Sequence, residues 1–131
     1  MTSKTILRIA RPTDHLKALT QQYELGLGLT RLGSFSDHEG YDGVILGHPN
    51  HPWHLEFTQH AGKVAGRAPT KENLLVLYFK NAAYWRTQCH QMQEAGFMEV
   101  QSSNPYWDHT GTTFEDVDGY RVVLQQSQWE A

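Results

Sequence analysis

The sequence predicts an α+β protein built from two β-α-β-β-β modules in tandem. Three observations predict it. Shifted by 67 residues, the chain lies on itself: Leu7-Arg8-Ile9 meets Leu74-Leu75-Val76, Asp14 meets Asn81, and Trp53 to Phe57 meets Tyr120 to Leu124. A slip of one residue brings Leu27-Gly28-Leu29 onto Ala95-Gly96-Phe97. Each copy then offers the same order of signals, a short β-rich run, a helical stripe and three further strand-like runs, and such self-similarity marks a repeated supersecondary unit.

The elements follow in order. Residues 5–10 and 74–79 are the opening strands, rich in branched and apolar residues. Asp14 and Asn81 stand where helix N-caps are needed, since a short side-chain oxygen can accept from an unpaired helix N–H. Leu16, Leu19 and Tyr23 form one helical stripe, and Ala82, Trp85, Cys89 and Met92 form the other. Glycines end both helices, Gly26 and Gly28 in the first and Gly96 in the second, as left-handed C-caps require. Strands are expected at 29–35, 42–48 and 53–59, then at 97–102, 111–116 and 120–126. Turns separate them at Asp37 to Gly40 and Asp116 to Gly119. Trp53 and Trp85 read as core residues.

A chain of 131 residues is expected to be one domain, with module one at 1–60, a linker at 61–71 and module two at 72–131. That length buries roughly two thirds of the unfolded surface, enough for a core without staples. The formal charge is −3, with Lys and Arg scattered singly, which argues against nucleic acid as a partner. One cysteine, Cys89, allows no internal disulfide and fits a reducing compartment. The N-terminus lacks a signal-like apolar run, and the longest apolar run, 74–79, is too short to span a bilayer. The expectation is a soluble cytoplasmic protein with no membrane partner.

With the repeat in place, the second-half stretch NPYWDHTGTTFEDVDGYRVVL (104–124) resembles the vicinal oxygen chelate superfamily, which includes glyoxalase I, bleomycin-resistance proteins and extradiol dioxygenases. WHLEF (53–57) resembles the family's fourth strand, and LRIARP (7–12) resembles the glyoxalase opening. The pattern as a whole, with HPWHLEFT in the first half, is similar to the YycE-like branch. The resemblance implies a curved eight-stranded mixed sheet, a cup, with helices on its convex face. It also implies a ligand in the cup, in many members a divalent metal, and pairing of chains into a homodimer that helps build the site.

Family metal sites draw ligands from the first and last strand of each module. Glu56 matches one such position. Val123 stands where metal-binding members carry Glu, Lys4 falls near a second position, and Asn73 or Leu74 at a third. Valine cannot ligate, and a protonated lysine repels a cation. The usual four-ligand site is therefore expected to be absent, and with it any cofactor. The stretch HPNHPWHLEFTQH (48–60) holds four of the eight histidines. Because strand side chains alternate, His54 and Glu56 share a face, and a rebuilt divalent metal site on those two is the minor alternative.

Strand parity extends the inward set to Arg8, His54, Glu56, Arg121, Val123 and Gln125, provided that Leu7 and Ile9 pack on helices. Arg8 matches a glyoxalase arginine that holds a substrate carboxylate. Tyr106 and Trp107, in the loop before the seventh strand, can wall the cup or stack on a ligand. The first reading is a small-molecule-binding protein of the glyoxalase/bleomycin-resistance type for a polar or anionic ligand, since guanidinium forks suit carboxylate or phosphate. The second is a glyoxalase-like lyase or isomerase with Glu56 as catalytic base and a metal rebuilt on Glu56 and His54. The third is a non-catalytic structural or partner-binding domain.

Overall fold

A computed structural model describes residues 4–129. Strand β1 (Leu7–Pro12), helix α1 (Leu16–Gly26) and strands β2 (Thr30–His38), β3 (Tyr41–Gly47) and β4 (Trp53–His60) form the first module. Strand β5 (Leu74–Tyr78), helix α2 (Ala82–Glu94) and strands β6 (Met98–Val100), β7 (Gly111–Glu115) and β8 (Arg121–Gln125) form the second. The strands hydrogen-bond as two four-stranded sheets in the orders β1-β4-β3-β2 and β5-β8-β7-β6. In each sheet the first strand runs parallel to the last, and all other pairs are antiparallel. This is the paired βαβββ fold that the repeat predicts.

Helix α1 packs on β3 and β4, α2 packs on β8, and the two helices touch. Their buried stripes are the expected ones, with Leu19, Tyr23 and Met92 sealed and Leu16, Trp85 and Cys89 packed at the margin. They share one core with Leu55 and Phe57 of β4, Phe114 of β7, and Val122 and Leu124 of β8. The Tyr23 ring meets Phe57 at 5.0 Å and Phe97 edge-on at 5.2 Å, so one aromatic residue touches both modules.

A buried polar seam also joins the modules. The Arg11 guanidinium donates to the Asp116 carboxylate at 2.5 Å and lies over the Tyr120 ring at 3.9 Å. The Tyr23 hydroxyl donates to the same carboxylate at 2.7 Å, and Thr13 donates to Asp118 at 2.6 Å. The His15 Nδ1 lies 3.0 Å from the other Asp118 oxygen. Burial, together with the Asp116 charge, pushes the Tyr23 hydroxyl far above the ordinary tyrosine range.

Several expectations need correction. Asp14 does not cap α1. The cap position is His15, which makes no side-chain cap bond, and the Asp14 carboxylate turns to the linker instead, accepting from the Ala65 and Gly66 amides at 2.7 and 2.9 Å. Those two amides hold the Asp14 carboxyl below its usual range. Asn81 does cap α2, accepting from the Tyr84 amide. Strand β1 starts two residues later than expected, set by its register against β4. Leu7 and Ile9 are not covered by helices: they are 57% and 40% exposed, because β1 is an edge strand. Strand β6 stops at Val100, and the Ser102 amide turns to the Asp108 carboxylate.

Of the three glycines expected at the helix ends, Gly28 and Gly96 are left-handed, at φ +66 and +91. Gly26 serves another purpose. A Cβ there would sit 2.8 Å from the Phe97 ring and 3.0 Å from the Met92 sulfur, so Gly26 lets the helices close. Gly-to-Ala ordinarily stabilises a helix. Here Gly26→Ala is expected to destabilise by about 1–3 kcal/mol, the usual cost of overpacking a core. An unchanged urea midpoint in this variant would contradict the close approach.

Candidate functional site

The first sheet has one face on the helices and one face open. Register places Arg8 beside His54, and Glu56 beside Ala10 and Ile45, all on the open face. The Arg8 Nη1 donates to Glu56 Oε1 at 3.0 Å, and its Nη2 lies 3.4 Å from His54 Nδ1. The Arg8 side chain is 44% exposed and that of Glu56 is 19% exposed. Three side chains that strand parity put together thus do meet, as an ion pair with an imidazole at its flank.

The same face carries an apolar strip that sequence reasoning missed. A Cβ on Gly43 would overlap the Phe35 ring, and a Cβ on Gly47 would meet Leu32 Cδ1 at 2.8 Å. With no side chains on two of the three β3 positions, Phe35 and Leu32 of β2 lie down across the sheet beside Ile45. The signal was in the sequence: YDGVILG places glycines four apart in a strand, and strand glycines often mark close approach.

The second sheet is different. Arg121, Val123 and Gln125 share a face of β8, opposite the core residues Val122 and Leu124, but all three are buried. The Arg121 Nε donates to Glu115 at 3.1 Å and its Nη1 to the Gln101 carbonyl at 3.3 Å. Gln125 donates to the Trp107 carbonyl at 2.9 Å and accepts from the Thr110 hydroxyl at 2.7 Å. The cover is the 101–110 loop with its 3-10 turn at Pro105–Asp108. Trp107 is half-buried in that cover, while Tyr106, at right angles to it, is exposed. Within one chain the six inward residues therefore fall into two groups, one open and one covered.

The donor set fits a metal poorly. Among the described residues, no group of three or more His, Cys, Asp and Glu side chains is arranged to hold an ion. His54 and Glu56 both face the Arg8 guanidinium, which already supplies the positive charge between them. His51 stacks on Trp53 and His48 tilts against His51, while His60 packs edge-on to Tyr41. Cys89 is no nucleophile at neutral pH, since burial pushes its thiol up to about 11. Among the described residues, no helix is long and apolar enough to cross a membrane.

Two βαβββ modules with an open charged sheet face define a protein of the vicinal oxygen chelate superfamily. The YycE-like N-terminal domain pattern matches residues 7–58, and the YycE-like C-terminal domain pattern matches residues 72–126. The chain belongs to the YycE-like family. It is 45% identical over 122 residues to the uncharacterized protein YycE of Bacillus subtilis (strain 168), covering 93% of this chain and 88% of that one. The crystal structure of a YycE protein of unknown function from Bacillus subtilis superposes with a TM-score of 0.89 at 43% identity, over 98% of this chain and 93% of that one. More distant folds include a trypanothione-dependent glyoxalase I from Leishmania major (TM-score 0.71, 19% identity, 95% and 87% covered). The fosfomycin resistance protein FosX from Mesorhizobium loti also matches (TM-score 0.66, 10% identity, 98% and 94% covered).

Proposed function

We propose that this protein binds a small anionic molecule with an apolar body on the open face of its first sheet, without the four-ligand metal site of its metal-dependent relatives. The observation that carries the reading is Arg8, held by Glu56 and His54 beside the apolar strip of Leu32, Phe35 and Ile45. A guanidinium fork takes a carboxylate or phosphate, and the strip takes the apolar part. The relatives named for glyoxalase and fosfomycin resistance act on small molecules, which supports the class of ligand but not its identity.

We further propose that the protein works as a homodimer. The Arg8 side chain is 44% exposed, so one chain alone offers the guanidinium on a face and not in an enclosure. Strand β1 leaves one edge unpaired, and Ile6, Leu7 and Ile9 are exposed at and just before it. Such edges recruit another chain, and a second copy gives the open face its missing wall.

The test is calorimetric titration of metal-free protein with benzoate and with inorganic phosphate at low salt, beside mass spectrometry of protein purified without chelators. Saturable binding of benzoate without metal is the expected result. One tightly held divalent ion per chain, lost in Glu56→Gln, would overturn the reading in favour of a glyoxalase-like lyase. Sedimentation at rising concentration reads the dimer, and a monomer at every concentration would contradict it.

A further inference from the structure

A cavity of about 690 Å³ lies away from the charged face, between the two modules. We propose that it is a second binding site, for a flat, uncharged aromatic molecule that carries an N–H or O–H donor. Its volume falls inside the range of about 300–1,000 Å³ typical of small-molecule sites, and such sites favour the joints between structural units.

Three features define the ligand. The first is the pair of aromatic walls. His51 and Trp53, from the turn and start of β4, are nearly parallel, 12° apart in plane and 5.8 Å apart in centre. Phe79 and Tyr84, from the β5–α2 connection, stack at 29° and 5.5 Å. All four line the cavity, two from each module, and ring faces favour flat aromatic guests.

The second feature is charge. No Asp, Glu, Lys or Arg lines the cavity. The titratable side chains that do line it are imidazoles and phenols, His48, His51, Tyr78 and Tyr84, with no guanidinium, which separates this site from the Arg8 face.

The third is Gln88, only 7% exposed. Its amide nitrogen donates to the Gly26 carbonyl at 2.6 Å and to Gln91 Oε1 at 3.0 Å. The Gly26 carbonyl fixes the orientation of the amide, because the opposite one would set oxygen against oxygen. The Gln88 Oε1 then meets no protein donor among the described residues, and it is not sealed in protein, since the sealed partnerless atoms are Arg11 Nε and Thr20 Oγ1. Gln88 lines the cavity. That oxygen is therefore an accessible acceptor at the cavity, which a donor on a guest can engage in place of water. The strand edge adds further acceptors and donors: four consecutive residues, Val76 to Phe79, line the cavity, so it meets the unpaired backbone edge of β5 and not one of its faces.

The experiment titrates 2-naphthol into isotopically labelled protein and follows the Trp53 indole and Gln88 amide signals by NMR. 2-Methoxynaphthalene, the same shape without a donor, is the comparison. The expected result is saturable shifts at both reporters, with the methoxy compound about fivefold to tenfold weaker for the loss of one hydrogen bond. Gln88→Met should reduce 2-naphthol to the affinity of the methoxy compound. Because Gln88 also holds Gly26, Tyr84→Ala on an exposed stretch of α2 is the second variant, and it should weaken both compounds. Equal affinities, shifts elsewhere on the protein, or binding indifferent to Tyr84→Ala would each overturn the proposal. So would affinity that falls as protein concentration rises, which would mean that a second copy fills the space. Benzoate should not compete, and a failure of the anion reading leaves this result unaffected.

Discussion

Asp116→Asn is expected to destabilise the protein by about 3–5 kcal/mol, the cost of leaving a buried charge without its partner. The Asp116 side chain is fully buried and that of Arg11 is 11% exposed. One carboxylate answers four donors: the Arg11 guanidinium, the Tyr23 hydroxyl, and the amides of Asp118 and Tyr120. Asparagine keeps the shape but brings its own N–H donors into a pocket of donors, and Arg11 stays behind with its charge. Urea unfolding followed by circular dichroism measures the loss. Tyr23→Phe removes one bond to the charged oxygen and should cost about 1.5–3 kcal/mol. The double variant should cost less than the sum, because both changes remove the same bond. A loss under about 1 kcal/mol for Asp116→Asn would mean that the seam is not held by charge.

Arg8→Met should weaken benzoate binding by about tenfold or more, the loss of a charge-assisted hydrogen bond. Stability should move little, because the Arg8 side of the pair is 44% exposed and solvent-screened pairs contribute about 0–1 kcal/mol. Glu56→Gln carries the opposite sign. Glu56 competes with the ligand for the guanidinium, so removing its charge should tighten benzoate severalfold. If Glu56 instead acts as a base or metal ligand, the same variant loses turnover or metal. The two variants together therefore separate the readings by direction and not only by size, in one calorimetric series.

The alternation of strands and the helical stripes were readable because they depend on local periodicity. Asn81 capped as expected for the same reason. Asp14 did not, because its oxygens found two linker amides that are 51 and 52 residues away in the sequence, and no local pattern reports a contact at that range. Arg8, His54 and Glu56 could be brought together from parity once β1 was paired with β4. The burial of Arg121 and Gln125 could not, because it depends on how the 101–110 loop folds back over β8. The Gln88 acceptor was equally hidden: Gln88 reads as one more polar residue on a helix, and only the approach of Gly26 gives its amide a direction.

The seam of Arg11, Thr13, His15 and Tyr23 on Asp116 and Asp118 ties residues that sit more than ninety positions apart. The joint between the halves is thus made by the folded surfaces, not by the strip of chain that runs from one to the other. A protease nick in the exposed stretch near Gly62 should leave two fragments that travel together through gel filtration and part only in denaturant. Expressed as separate pieces, they should find each other, which would make this small chain a natural split reporter.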